Sequence, residues 1–405
     1  SISSPADGTS VVAGTLISIV AAASDDIGLR PTILSFGAIS TTDASPPSIT
    51  ASLYAPPVAV PTSIPIEVRA EDYDHNVTTA TREVLVTPNA DTTPPVFTSL
   101  CPAEEAMAQP GGSVQITATW SDDLGLYAVE RYIGTELATT AEGGQTGGTQ
   151  FSVSVPVDAP EDSTIPVRLR VIDFGGNITE RVIAIRVRTG IVISGFVTIG
   201  EGDLSYEDQT IYATPESRLF VAGPHRFRDL ILLSGAVQGA VLEHPHPQGG
   251  EVERLEIELT DSLYVGCSAS VVAGGLGYPG ATAAACSSPA FTFPGTTVGG
   301  AVGRQGGSHG GAGGSITGRA EYGNIFAPYE AGGGGGCGSV YLGDGGAGGG
   351  VVRIRSRGAV QIDGSVGADG RSGPHGGGAG GSIWIEAARV GGSATLSARG
   401  GSGYV

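Results

Sequence analysis

The chain has 405 residues, a length that predicts about two to four domains. Although 67 residues are glycine and 25 are proline, 40% are hydrophobic, which excludes global disorder. The net charge of -19 argues against a nucleic-acid-binding protein, because a phosphate backbone requires a basic surface.

The acidic charge balance is typical of a soluble surface protein, and it supplies carboxylates for divalent cations. No apolar run reaches membrane-spanning length and no signal peptide is recognisable, so we expect no membrane span in this chain. The sequence starts at Ser1 and not at methionine. We therefore expect a processed or partial chain of a larger protein.

Residues 1–88 and 92–189 are predicted to be two copies of one module. Each copy has an alternating apolar strand that ends in a pair of aspartates, and each closes with two strands across a polar turn. Short strands, frequent turns and a length of about 90 residues are typical of an immunoglobulin-like (Ig-like) β-sandwich.

Two turn motifs recur in these copies. The second copy carries D-x-x-G-[VL] at residues 122–126 and D-x-x-G-N at residues 173–177, whereas the first copy lacks the glycine pair at residues 72–76. With these motifs the copies resemble the bacterial Ig-like domains that occur in tandem in large secreted and surface proteins. The resemblance implies a spacer or a binding head, because the fold alone specifies no activity.

Acidic residues recur at both turns of each copy. In an Ig-like sandwich these two loops lie at the same end of the domain, so we expect their carboxylates to converge. The candidate ligands are Asp25, Asp26, Asp72 and Asp74 in the first copy, Asp122, Asp123 and Asp173 in the second, and Asp91 in the linker. Because Ca²⁺ takes about six to eight oxygen ligands, they predict calcium sites that would stiffen the joint. The alternative is that they only form Asx turns.

Asn76 and Asn177 match the glycosylation pattern N-x-T. They fall at the same turn position of the two copies, so turn chemistry explains both asparagines better than modification does.

Residues 190–405 form the third predicted domain. The segments 255–259, 352–355 and 383–386 alternate apolar and polar residues, and each is followed by a short strand and a glycine-rich break. A unit that buries one face and then turns must stack on its neighbours, so the pattern predicts a β-solenoid. A step of 30 residues separates Val366 from Leu396 in this repeat.

A glycine-rich insertion is predicted at about residues 275–350. Its runs of glycine are either a mobile loop or extended polyglycine II helices that bond to one another. With Tyr322-Gly-Asn324 and the run after Glu330, residues 230–403 resemble a glycine-rich domain of very large surface proteins from soil and predatory, myxobacteria-like bacteria. The resemblance implies a cell-surface or filament protein, and that domain has no assigned activity.

The four cysteines, Cys101, Cys267, Cys286 and Cys337, allow three pairings, and none lies in a C-x-x-C zinc motif. We expect Cys267–Cys286, which are 19 residues apart, and then Cys101–Cys337. Disulfides would place the chain outside the cell, and buried free thiols are the alternative.

The sequence predicts no enzyme. The charged residues of the alternating strands are expected to form a solvated face, and Ser308-His309 has no assignable partner carboxylate. His244-Pro-His246 could bind a metal, but two histidines beside proline in a loop are more often merely exposed. We expect a structural surface or filament subunit that associates with itself or with other surface proteins. The alternative is an adhesin that binds carbohydrate or protein through its Ig-like tips or the solenoid face. Calcium is the sole expected cofactor.

Overall fold

The computed structural model describes residues 1–43, 47–248, 250–286, 288–314, 321–338 and 343–403. Apart from a short 3-10 helix at Ala283–Ala285, every regular element in these residues is a β-strand, so the chain is all-β as predicted. No helix in this part is long and apolar enough to cross a membrane. Residues 287, 315–320 and 339–342 of the predicted insertion lie outside the described residues.

Contacts group the chain into two units. Unit 1 comprises Ser1–Leu100, Gln115–Val153 and Thr164–Ile185. Unit 2 comprises Cys101–Val114, Ser154–Ser163 and Arg186–Val405.

The first repeat is a sandwich of a three-stranded sheet, β1-β3-β6, and a five-stranded sheet, β2-β8-β7-β4-β5. Its strands are β1 (Ile2–Ser4), β2 (Thr9–Val12), β3 (Leu16–Ala22), β4 (Thr32–Phe36), β5 (Ile39–Asp43), β6 (Ser48–Tyr54), β7 (Thr62–Glu71) and β8 (Val77–Thr87). The chain enters along one sheet in β1 and changes to the other in β2, which pairs in parallel with β8. In β3 every second side chain, Ile17, Ile19 and Ala21, is buried between the sheets.

The second repeat has the same layout, with a three-stranded sheet, β14-β11-β9, and a five-stranded sheet, β10-β16-β15-β12-β13. Its strands are β9 (Val96–Cys101), β10 (Glu105–Ala108), β11 (Ser113–Ser121), β12 (Leu126–Ile133), β13 (Glu136–Ala141), β14 (Thr146–Ser154), β15 (Thr164–Asp173) and β16 (Ile178–Val187). The strand order agrees with the predicted pair of Ig-like sandwiches.

Within unit 1 the two repeats pack against each other through Phe174. Its ring centroid lies 5.2 Å from that of Tyr54 and 6.5 Å from that of Tyr127. A Cβ atom at Gly14 would lie 2.6 Å from the same ring, so only glycine permits this approach. Phe174 and Tyr127 therefore belong to one hydrophobic cluster with the core of the first sandwich.

The parallel-sheet region follows, and its strands form three parallel sheets. The sheets have the orders β17-β19-β22-β25-β28-β31, β18-β20-β23-β26-β29-β32 and β21-β24-β27-β30. The strands are β17 (Ile191–Ile193), β18 (Phe196–Ile199), β19 (Thr210–Ala213), β20 (Arg218–Val221), β21 (Gly223–Phe227), β22 (Asp229–Leu232), β23 (Val241–Glu243), β24 (Leu255–Leu259), β25 (Leu263–Val265), β26 (Ser270–Val272), β27 (Val351–Ser356), β28 (Ala359–Ile362), β29 (Ser365–Gly367), β30 (Ser382–Glu386), β31 (Arg389–Gly391) and β32 (Thr395–Ser397).

The three alternating segments predicted as strands are β24, β27 and β30, which lie side by side in parallel. The predicted step of 30 residues is also confirmed, because Val366 of β29 and Leu396 of β32 are direct register partners. Apolar residues of successive strands lie next to one another. Together they form one buried cluster that extends from β17 to β29. Lateral pairing of the strands therefore satisfies their backbone groups and buries their apolar faces.

The glycine-rich segments are bonded to one another. Residues 277–281, 332–336, 345–350 and 376–381 exchange backbone hydrogen bonds of 2.7–3.0 Å, among them Gly277 N to Gly348 O, Gly348 N to Tyr278 O, Gly332 N to Gly349 O and Gly349 N to Ala379 O. A Cβ atom on Gly348 would collide with the carbonyl oxygen of Gly332. The close approach of these backbones explains why the segments are glycine.

All four cysteines form disulfides, but the predicted pairing is wrong. The bonds join Cys101 to Cys267 and Cys286 to Cys337, with Cα–Cα distances of 6.0 and 5.4 Å. Cys267 lies in the turn between β25 and β26, whereas Cys286 lies beyond β26 among the glycine-rich segments. Proximity in sequence therefore does not bring Cys267 and Cys286 together. The Cys101–Cys267 bond lies entirely within unit 2.

Candidate metal centre

Three of the predicted carboxylates meet in unit 1. Asp91 lies between β8 and β9, while Asp122 and Asp123 directly follow β11. One carboxylate oxygen from each of the three lies within 4.8 Å of the others. The linker carboxylate and the two turn carboxylates therefore form one cluster, named here the Asp91 cluster.

The turn after β11 fixes Asp122. Its Oδ1 accepts hydrogen bonds from Leu124 N at 3.1 Å and Gly125 N at 2.7 Å. Gly125 has a φ of 149°, a value that L side chains rarely adopt. The D-x-x-G motif thus engages one carboxylate oxygen of Asp122 in the turn and leaves the other oxygen for a different partner.

The linker holds Asp91 in a similar way, since its Oδ1 accepts a hydrogen bond from Thr93 N at 2.9 Å. Asp91 and Asp122 are 7% and 9% exposed, and the Oδ2 atom of each is buried with no hydrogen-bond partner among the described residues. Burying an unpaired carboxylate oxygen is costly. A nearby cation or a proton would remove that cost.

Asp173 lies beside the cluster at the end of β15 and is fully buried. Its Oδ1 and Oδ2 accept hydrogen bonds from the backbone and side-chain nitrogens of Asn177 at 2.8 and 2.9 Å. Burial, together with the negative charges of Asp91 and Asp122, raises the pKa of the Asp173 carboxyl group. The raised pKa of Asp173 thus reflects, in part, the negative charges of the neighbouring Asp91 and Asp122 carboxylates.

The turn that contains Asp173 also binds the linker. Asn177 Nδ2 donates to the carbonyl oxygen of Asp91 at 3.3 Å, and a Cβ atom at Gly175 would collide with that oxygen. The D-x-x-G-N motif therefore positions the linker as well as the hairpin. In the part of the chain that the structure describes, Asp91, Asp122 and Asp173 form no ion pair with a basic residue. A set of oxygen ligands without such partners suits a hard divalent cation such as Ca²⁺.

The first sandwich builds the same turn from Asp25. Its Oδ1 accepts hydrogen bonds from Ile27 N at 2.9 Å and Gly28 N at 3.0 Å, as Asp122 does in the second sandwich. Asp25 is exposed, however, and no linker carboxylate is grouped with it. Within the described ranges, no comparable group of three ligands includes any of the first-copy candidates, Asp25, Asp26, Asp72 or Asp74.

Both asparagines that match the glycosylation pattern form hydrogen bonds within turns. Asn76 donates its backbone and side-chain hydrogens to Asp72 at 2.8 and 2.7 Å, and Asn177 makes the same pair of bonds to Asp173. The turn interpretation accounts for both asparagines.

The histidine-containing motifs are bonded to backbone groups. Ser308 Oγ accepts a hydrogen bond from a backbone amide, and His309 Nδ1 lies 2.8 Å from Gly380 O. His244 is fully buried, and burial lowers its pKa to about 4, whereas His246 is exposed. These contacts hold the side chains in the glycine-rich scaffold.

A buried charged cluster in unit 2 was missed by the sequence analysis. The side chain of Arg188 is 5% exposed, and its guanidinium pairs with Asp162 and Asp261, while its Nε lies 3.8 Å from Asp229. Thr210 Oγ1 donates to Asp229 at 2.8 Å, and burial raises the pKa of Asp229. An arginine at the end of an alternating strand carries no sequence signal that its side chain is buried.

No family model and no curated protein matches this chain. Solved structures similar to it include fibronectin(III)-like modules of CbhA from Clostridium thermocellum, with 20% identity over 46% of this chain and 93% of that chain, at a TM-score of 0.19. The Ig1-2 module of Drosophila receptor protein tyrosine phosphatase DLAR has 13% identity over 47% of this chain and 98% of that chain, at a TM-score of 0.20.

A third similar structure is SGBP-B of the Bacteroides ovatus mixed-linkage glucan utilization locus, in complex with a mixed-linkage heptasaccharide. It has 15% identity over 49% of this chain and 50% of that chain, at a TM-score of 0.17. Such low scores assign no function. The chain has tandem Ig-like β-sandwich domains, as its own strand order shows.

Proposed function

We propose that this chain is a non-enzymatic structural module of an extracellular bacterial surface or filament protein. The proposal depends on one observation. Strands pair in register within three parallel sheets, and their buried apolar side chains form one cluster. In this proposal the parallel-sheet region is a β-solenoid, and its glycine-rich segments are polyglycine II helices bonded side by side. Such an element resists bending because each coil is bonded to the next along three sheets.

Two features support the extracellular setting. Both disulfides join segments far apart in sequence, by 166 and 51 residues, and such bonds persist in oxidising compartments. The net charge of -19 is typical of a soluble surface protein.

We further propose that the Asp91 cluster binds Ca²⁺. Two buried carboxylate oxygens without partners support it, and the flanking Phe174 contact gives the cation a structural role. A cation that joins the linker to the turns of the second sandwich would hold the two Ig-like domains at a fixed angle.

An adhesin that binds carbohydrate or protein is the second candidate. Its support is the outer face of β27 and β30, where the Arg353 guanidinium lies 4.7 Å from the ring centroid of Trp384. Aromatic and arginine side chains are enriched at binding surfaces. Partners in either case are copies of the chain, other surface proteins or an extracellular carbohydrate.

Imaging of the purified chain by negative-stain electron microscopy tests the structural role. We expect stiff particles of uniform length, which associate into fibres if the chain is a filament subunit and stay separate if it is a stalk. Particles with a flexible, unstacked region in place of the parallel sheets would contradict the structural role.

A matched pair of variants tests calcium binding. Asp122→Asn keeps the turn acceptor but removes a charge from the cluster, and Asp25→Asn makes the same change in the equivalent turn of the first sandwich. We expect Ca²⁺ to stabilise the wild-type chain and Asp25→Asn by about 2.7 kcal/mol at a concentration 100-fold above Kd. Asp122→Asn should lose this gain. Absence of any gain in the wild type, or equal loss in both variants, would overturn the site.

A further inference from the structure

A groove of about 550 Å³ lies on the outer face of the sheet β21-β24-β27-β30 in unit 2. Parallel register places its side chains in two rows across the strands. One row is Glu256, Arg353 and Trp384, and the other is Arg226, Glu258, Arg355 and Glu386. The sequence pattern predicts the charged residues of β24, β27 and β30 only as a solvated face. In the structure, the members of these rows on β21, β24 and β27 line a concave site, and Trp384 and Glu386 on β30 continue the rows beyond it.

The walls of the groove are fixed by internal contacts. The side chain of His225 is buried, with its Nδ1 2.8 Å from Glu207 and its ring stacked on Phe227. The Arg226 guanidinium binds Asp208 through two hydrogen bonds of 2.8 and 2.6 Å. Such preorganisation lowers the entropy lost when a ligand binds.

Arg353 lines the groove, and its guanidinium is not hydrogen-bonded to its nearest carboxylate. Its guanidinium lies over Trp384, and its nearest acidic partner, Glu256, is 3.9 Å away, beyond a hydrogen bond. Its Nε is buried and has no hydrogen-bond partner in the described part of the chain. The side chain as a whole is 29% exposed, so a ligand in the groove can supply an acceptor to the exposed part of the guanidinium.

The charges of the groove select the class of ligand. Although the whole chain carries a net charge of -19, the lining residues include three carboxylates and three guanidiniums, Glu207, Glu256, Glu258, Arg226, Arg353 and Arg355. This balance gives no advantage to a polyanion or a polycation. Alternating acceptors and donors instead match hydroxyl groups, which both donate and accept hydrogen bonds.

We propose that this groove binds a neutral oligosaccharide that lies across the strands. Adjacent strands are about 4.8 Å apart, close to the length of one pyranose unit, so successive rungs would contact successive sugars. Trp384, which contacts the lining residue Arg353, would stack on an apolar sugar face next to the groove, while the carboxylates and Arg353 bind hydroxyls. The site deepens the adhesin candidate and depends neither on calcium nor on fibre formation.

The test is saturation-transfer NMR of the full chain with cellohexaose, mannohexaose, xylohexaose, chitohexaose and hexagalacturonate. We expect at least one neutral hexasaccharide to bind, and Trp384→Ala and Arg353→Ala each to weaken it about tenfold or more. Arg131→Ala is the matched control, because Arg131 also lies over an aromatic ring, Phe151, but in the second sandwich.

Three results would overturn the proposal. They are binding of no neutral hexasaccharide, binding of hexagalacturonate alone, and unchanged affinity in the groove variants. If Arg353→Ala fails to fold, the more exposed Arg355→Ala provides the same test. The structural role is judged by imaging, so either proposal can fail without the other.

Discussion

His75 and Gly176 occupy the same position of the same turn in the two sandwiches, and both adopt left-handed backbone, with φ of 68° and 85°. Each precedes the asparagine that bonds to the turn aspartate four residues earlier. In the first sandwich the histidine ring is bonded to Glu71 at 2.9 Å and approaches Arg30 at 3.3 Å. His75 thus makes these side-chain contacts while its backbone holds a left-handed conformation that glycine adopts without strain.

Gly176→Ala is expected to lower the free energy of unfolding by about 1–2 kcal/mol, because the left-handed conformation strains any residue with a Cβ atom. The nearest atom to that Cβ, in Pro57, lies at 3.4 Å, so steric collision adds little. Chemical denaturation measures the change, and His75→Gly should show no comparable loss. An unchanged midpoint for Gly176→Ala would show that the turn does not require positive φ.

Stability of the first sandwich should fall in acid. The hydrogen bond to His75, followed by that to Arg69, lowers the pKa of Glu71 from its ordinary value of 4.5. A lowered carboxyl pKa contributes stability above the unfolded-state value and loses it as pH falls through the folded-state value. We expect Tm to drop between about pH 5 and pH 3.

Glu71→Gln should reduce that drop, and added salt should reduce it further, since the carboxylate is only partly buried. Glu136→Gln, at an exposed position of β13, is the control. Equal pH profiles for wild type and Glu71→Gln would contradict the assignment.

Arg188→Met is expected to destabilise the chain by about 3–5 kcal/mol, because it leaves the fully buried Asp229 without this cation. Arg357→Met is the control, since Arg357 is 74% exposed and lies 4.0 Å from Glu258. That change should cost less than about 1 kcal/mol. Differential scanning calorimetry compares the two, and a mild effect at Arg188 would refute its structural role.

Gly348→Ala should destabilise the parallel-sheet region by about 3 kcal/mol or more, because its Cβ collides with the carbonyl oxygen of Gly332. Gly367→Ala in β29 is the control, since its Cβ would meet no atom within 4 Å. Thermal unfolding and soluble yield report the difference. Similar behaviour of the two variants would mean that the glycine backbones do not pack as closely as described.

Much of the candidate metal centre could be predicted from the sequence. Asp91, Asp122 and Asp123 were among the eight proposed ligands, because the turn motifs repeat in both copies. The sequence did not separate the two copies, since Asp25 and Asp122 make the same turn. The difference comes from the linker, which places Asp91 at the second sandwich and not at the first.

The groove on the sheet β21-β24-β27-β30, in contrast to the metal centre, could not be predicted from the sequence. The alternation of β24, β27 and β30 predicted which side chains face outward, but not that Arg353 stacks on Trp384 of the neighbouring strand. That contact depends on the register between parallel strands, which are separated by loops of very different length.

Alternating side chains and turn residues determined the strands, the paired sandwiches and the repeated strands of the parallel sheets, because backbone preferences act over a few residues. The disulfide partners, the burial of Arg188 and the meeting of the linker with the turns were decided by tertiary structure alone. Each joins residues far apart in the chain, and such contacts form only where the apolar faces of whole sheets have already fixed the path between them.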